Sequence, residues 1–141
     1  MKKLLVPVFS LLLFSCGTKN VTENKEGFVL YEIIKQDEQG GASIQFYEVI
    51  SESNEFKMLL NDKELKNKVT SSDIKTANFL LLNMGEKSSG GHFITLESVE
   101  ETETEIIVDV KENYPSGMAT SVMTYPLTVV KINSKKAIRF K

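Results

Sequence analysis

One histidine, His92, and one cysteine, Cys16, are the only side chains of their kind in the 141 residues, and each limits the chemistry open to the chain. His92 closes the run Met84-Gly-Glu-Lys-Ser-Ser-Gly-Gly-His92, so it is the only imidazole that could serve Ser88 or Ser89 as a base. Neighbours on a turn rarely aim at each other, and the commoner place for such a histidine is the start of a strand at a hairpin edge. No catalytic residue is expected. Zinc needs three or four ligands from His, Cys or carboxylate, which one histidine and one cysteine do not provide. The acidic series Glu97, Glu100, Glu101, Glu103 and Glu105 lacks the spaced Asp/Asn ligands and glycine of a calcium loop and reads as a solvated hairpin between two strands. No phosphate-binding glycine loop and no Gly-x-Ser-x-Gly elbow is present, and no metal or cofactor is expected.

Cys16 follows a different logic. Lys2 and Lys3 open the chain, and Leu4 to Phe14 form an apolar run too short to span a bilayer but suited to the core of a signal peptide. Leu13-Phe14-Ser15-Cys16 resembles the lipobox cut by the bacterial lipoprotein signal peptidase, with Phe14 where a small residue is usual. On this reading residues 1–15 are removed and Cys16 becomes an acylated N-terminus. The alternative is an ordinary secretory signal, which would leave an unpaired thiol in an exported protein. The polar stretch 17–26, with Val21 its single aliphatic residue, cannot bury enough to fold and is expected to be a leash. The expected location is a bacterial envelope membrane, on the outer membrane and facing the periplasm. Each buried methylene favours such anchoring by about 0.8 kcal/mol. Gly17-Thr18-Lys19-Asn20 carries no acidic sorting residue, so the choice of membrane stays open.

The remaining chain suffices for one domain, expected over 27–141. The full sequence has 17 basic and 19 acidic residues; without Lys2 and Lys3 the acidic excess grows to four, and the lysines are scattered among glutamates. A nucleic-acid partner is therefore not expected, since it requires a concentrated basic face. With Cys16 acylated no disulfide forms, and stability must come from a buried core.

Periodicity supplies the elements that must hold any site. Residues 28–34 and 43–50 are rich in β-branched and aromatic residues and read as strands, separated by turn chemistry over 36–41. Phe56, Leu59 and Leu60 fit an amphipathic helix over 54–66, with Ser51 and Ser53 as candidate caps, and 67–76 reads as a polar loop. Residues 78–84 suit a strand buried on both faces. Residues 93–99 and 106–110 alternate as half-buried antiparallel strands, and 127–132 and 137–140 close the pattern, joined by a hairpin turn at Asn133-Ser134. The class is α+β, mainly an antiparallel β-sheet or sandwich with one short helix.

The glycine loop belongs to a longer ordered set: Gly85, Glu86, Gly90 and Gly91, then Pro115 and Gly117, then Thr124, Pro126 and Val129-Val130-Lys131. This set, over 77–133, resembles the PrcB C-terminal domain family. Ser88 stands where that family usually has proline, His92 where it has tyrosine, and Ser89 keeps the hydroxyl of threonine. The resemblance implies a noncatalytic subunit that associates with a bacterial surface protease and supports its complex.

Glycine pairs adopt positive φ and admit a close backbone, so Gly90-Gly91 is expected to reverse a hairpin sharply, either as a turn alone or as a docking tip. Pro126 cannot donate to a ladder, so 121–125 ahead of it reads as a sheet edge, either protected or open to strand addition. The residues expected to meet a protein partner are Glu86, Ser88, Ser89, Gly90, Gly91, His92, Thr124, Tyr125 and Pro126. The function expected is a protein-binding module, an accessory or stabilising subunit of a protease or another envelope complex. A chagasin-like peptidase inhibitor inserting the 86–92 loop is the alternative. Oligomeric state is not legible.

Overall fold

The computed structural model describes residues 27–141, so the signal segment, Cys16 and the leash lie outside the described residues. Seven strands form two sheets: β1 (Tyr31–Asp37), β2 (Phe46–Ile50), β3 (Asn78–Asn83), β4 (Phe93–Glu101), β5 (Glu105–Asn113), β6 (Leu127–Ile132) and β7 (Ala137–Phe140). The larger sheet runs β1-β6-β3-β2 with every neighbour antiparallel, and the smaller runs β4-β5-β7. The short helix α1 (Ser53–Asn61) is the one α-helix among the described residues, which makes the fold the expected α+β sandwich.

Side-chain alternation in β3 explains the layering. Phe79 and Leu81 point to one face, where Phe56 and Leu59 of α1 join Ile34, Ile50, Leu65, Val69, Ile74 and Val129 in a buried cluster. Leu80 and Leu82 point to the other face and meet Ile94, Val99, Ile106 and Val108 of the smaller sheet. A strand covered on both sides cannot alternate polar with apolar, which is why 78–83 reads as an unbroken apolar run between two asparagines. The half-buried alternation expected of β4 and β5 also holds, with Ile94, Ile106 and Val108 inward. Between Leu96 and Ser98 a register shift moves the inward position of β4 to Val99.

Several expectations are corrected. The helix ends at Asn61, five residues short, because Asp62 is extended and its carboxylate accepts the Glu64 N–H at 2.9 Å and a Lys35 bond at 2.8 Å. Its cap position is Glu52, without a side-chain bond, rather than Ser51 or Ser53. The stretch 67–76 is more than a polar loop: Val69 is buried, and a 3-10 turn over Asp73–Lys75 buries Ile74. Asn133-Ser134 does not close a hairpin, since β6 lies in the larger sheet and β7 pairs parallel with β5 in the smaller. Parallel pairing also supplies ladder partners to the β7 backbone, and local turn chemistry has no means of choosing between the two sheets. The β4–β5 connection is the acidic hairpin expected, but three of the five glutamates of the series are matched: Glu97 with Lys111 at 2.9 Å, Glu101 with Lys136 at 2.9 Å and Glu105 with Arg139 at 3.1 Å.

Candidate protein-docking site

The glycine loop is not a hairpin tip. Residues 84–92 carry the chain from β3 in one sheet to β4 in the other, and a crossover must find partners for its backbone groups outside both ladders. It finds them in two other segments. Lys87 and Thr124 exchange both backbone bonds at 2.8 Å, Gly90 N–H donates to Thr120 O at 3.1 Å, and Met84 N–H donates to Pro126 O at 3.0 Å. The Thr124 hydroxyl donates to Ser89 O at 2.7 Å. The 38–41 turn completes the frame: Tyr125 N–H donates to Glu38 O at 2.7 Å, Gly41 N–H to Tyr125 O at 2.8 Å, and Gly91 N–H to a Glu38 carboxylate oxygen at 3.1 Å. Gly91 needs its glycine, having φ of +82°, and a Cβ there would lie 3.1 Å from Pro115 Cβ. Gly90 has no such constraint.

The structure thus brings together in one frame all the residues expected to meet a partner, but divides them. Thr124 and Pro126 are buried and support the frame; Glu86, Ser88 and Gly91 are exposed; Ser89, Gly90, His92 and Tyr125 are half-buried. The backbone of 124–125 is fully engaged by Lys87, Glu38 and Gly41, so this part of the expected edge is already paired within the molecule.

His92 and Ser89 do aim at each other, contrary to expectation: the imidazole Nε2 lies 2.9 Å from Ser89 Oγ. Three residues of separation on a crossover, rather than adjacency on a tight turn, make this reach possible. The other ring nitrogen, Nδ1, is buried and has no hydrogen-bond partner among the described residues, so no carboxylate orients the ring as in a hydrolase triad. The ring is instead set by Tyr114, edge-on with centroids 5.6 Å apart. Tyr114 in turn donates to Glu112 at 2.7 Å, as does Tyr47 at 2.7 Å, and Gln45 bonds the same carboxylate. Burial works against the Glu112 charge, but the two hydroxyls outweigh it and hold the carboxyl below its ordinary value. Burial first, and the bond to Glu112 second, push Tyr47 up to about 12. Tyr125 donates to Glu86 at 3.1 Å, which raises its own pKa.

Beside His92 lies a cleft of about 190 Å³ lined by Asp37, Glu38, Phe93, Pro126 and Thr128. It is well below the size that encloses a drug-sized ligand and suits a single side chain. Two residues of its lining are fixed where the Gln36 amide and the Thr128 hydroxyl both donate to Ile94 O, at 2.9 and 3.1 Å, tying the two sheets together. Among the described residues no group of three His, Cys, Asp or Glu side chains is arranged to hold a metal.

The crossover, the proline-glycine return and β6 fall within one family match. Residues 79–133 match the PrcB C-terminal family model. The match begins inside β3 and ends just past β6, so it takes in both loops of the frame but not the 38–41 turn, α1 or β7. No curated protein and no solved structure matches the chain. Sequence reasoning missed Glu38, which binds two segments of the frame at Gly91 and Tyr125, and Asn83, whose buried amide holds the 42–44 backbone. Asn83 left a signal, a polar residue ending an apolar run; Glu38 left none.

Proposed function

We propose that the protein is a noncatalytic binding module, an accessory subunit that supports a protease or comparable complex of the bacterial envelope, held at the membrane by an acyl group on Cys16. The observation that carries this reading is the interlocked frame. Backbone bonds from three separate segments fix a crossover whose exposed residues make no contribution to the core, and such preorganisation lowers the cost of docking. The PrcB C-terminal match supports a protein partner and the association with a protease complex. Inhibition by insertion of 86–92 is disfavoured, because a wedge must be free along its length and this loop is tied at Lys87, Ser89, Gly90 and Gly91. Crosslinking in the native envelope, followed by identification of the attached protein, tests the reading. A protease-complex component joined to the wild type, and lost in Cys16→Ser, is expected. Recovery of no specific protein would end it, and an unmodified Cys16 thiol in the mature product would remove the anchor.

A further inference from the structure

The return segment from Asn113 to Met123 contains no charged residue, and the uncharged run continues to Val130, in a chain where one residue in four is charged. A buried strand explains 127–130; nothing in the core explains 113–123. There Met118 is fully exposed, with Tyr114 61%, Met123 45% and Val122 44% exposed. Single exposed hydrophobes need no explanation, whereas four within ten uncharged residues concentrate exposed apolar surface on one segment, as interaction surfaces do. The segment is also fastened at both ends: Tyr114 to Glu112 of β5, Thr120 O to the Gly90 N–H, and Met123 O to the Gln39 amide at 3.1 Å. The tip is therefore presented on a braced base.

Charge selects the occupant. Four carboxylates border the base: Glu112 on Tyr114, Glu86 on Tyr125, Glu38 on Gly91, and Asp37 in the adjoining cleft. The bases nearby are Lys87 in the crossover and Lys35, whose ammonium is engaged by Asp62 at 2.8 Å and Glu64 at 3.2 Å and lies 3.8 Å from Asp37, so that of the two cleft carboxylates Glu38 is the one without a cation partner among the described residues. An anionic bilayer would be repelled by this rim, and a second copy docked on a two-fold axis would set acid against acid. A protein with an apolar groove and basic edges is attracted on both counts.

We propose that the 113–123 loop seats Met118 and its apolar neighbours in an apolar groove of a partner protein, and that a lysine or arginine beside the groove enters the Asp37–Glu38 cleft, where Phe93, 40% exposed, adds a cation–π face. The inference rests on the binding-module reading and names the chemistry of the partner.

The test uses the full chain and a displayed random-peptide library as probe. Enriched peptides carry an apolar pair flanked by lysine or arginine, and their binding falls at least about tenfold, the factor equivalent to 1.4 kcal/mol, in Met118→Glu and again in Glu38→Lys. Met118 makes no buried contact, so Met118→Glu keeps the wild-type circular dichroism. Acidic or unflanked peptides, no enrichment, or binding indifferent to both variants would overturn the proposal. So would phosphatidylglycerol vesicle binding, or self-association in sedimentation, that depends on Met118. A photocrosslinker at position 118 in the native envelope, with position 57 on α1 as comparison, separates the two readings. Adducts at 57 alone defeat this proposal and spare the binding module, while protein adducts at neither position defeat both.

Discussion

Asn83 is 0% exposed, and its amide makes three bonds to the backbone leading into β2: it accepts from Ala42 N–H at 3.1 Å and donates to Ala42 O at 3.0 Å and to Ile44 O. Asn83→Ala removes all three. At about 1 kcal/mol of net stability per bond, offset in part because water reaches Ala42 and Ile44, the loss should be about 2–3 kcal/mol. Gly41 sits against the same amide. A Cβ there would fall 2.0 Å from Asn83 Oδ1 and 2.6 Å from Tyr125 O, so Gly41→Ala forces backbone or amide to move, at a cost of roughly 2 kcal/mol. The pair is therefore coupled. Truncating Asn83 takes away the nearer obstacle but leaves the Tyr125 carbonyl, so the double variant should fall short of the sum of the singles by about 1 kcal/mol. Equilibrium urea unfolding of the purified protein measures all four corners of this cycle. Strict additivity, or a loss below about 0.5 kcal/mol for Asn83→Ala, would refute the view that this amide fastens the base of the docking frame.

Three further outcomes follow from the charges and hydroxyls. The Lys35 ammonium bond holds the Asp62 carboxyl below 3.8, while Lys35, despite burial, is held above 10.5 by Asp62 and Glu64. The contribution of Asp62 is thus present above its unfolded pKa and lost as pH falls through the lower folded value. That of Lys35 is complete below 10.5 and lost as pH rises through its higher folded value. Lys35→Met should cost about 1 kcal/mol at neutral pH and flatten both limbs of a pH–stability profile; unchanged limbs would contradict the pairing. Tyr47, pushed up to about 12, should ionise in ultraviolet titration only at that pH and contribute stability that is lost between 10 and 12, and Tyr47→Phe should abolish that step. Ser89 faces His92 Nε2, but no carboxylate holds the ring at Nδ1, so a fluorophosphonate should leave Ser89 unlabelled; stoichiometric labelling lost in Ser89→Ala would revive a hydrolase.

Local pattern was enough for the class, for most of the strands and for the family resemblance. Period-two alternation exposes 93–99 and 106–110, an unbroken apolar run exposes 78–84, and the spaced glycines and prolines expose the crossover and return. These signals survive in one dimension because each records which face of its own segment is buried. What failed was everything decided between segments. Val69 and Ile74 lack a periodic neighbour, so their burial appears only when α1 and β3 leave a gap to close. The helix ends where Lys35, far back in β1, claims Asp62.

Residue types and spacing by themselves determined that catalysis had one histidine to work with, that metal ligands were scarce, and that a glycine loop and a proline return came in a particular order. Tertiary structure decided that the loop crosses between sheets instead of turning back, that Ser89 reaches His92, and that Glu38, just past β1, accepts from both Gly91 and Tyr125. The hydrogen bonds that decide these points join segments far apart in the chain. Their partners are chosen by proximity in space, which sequence spacing does not encode.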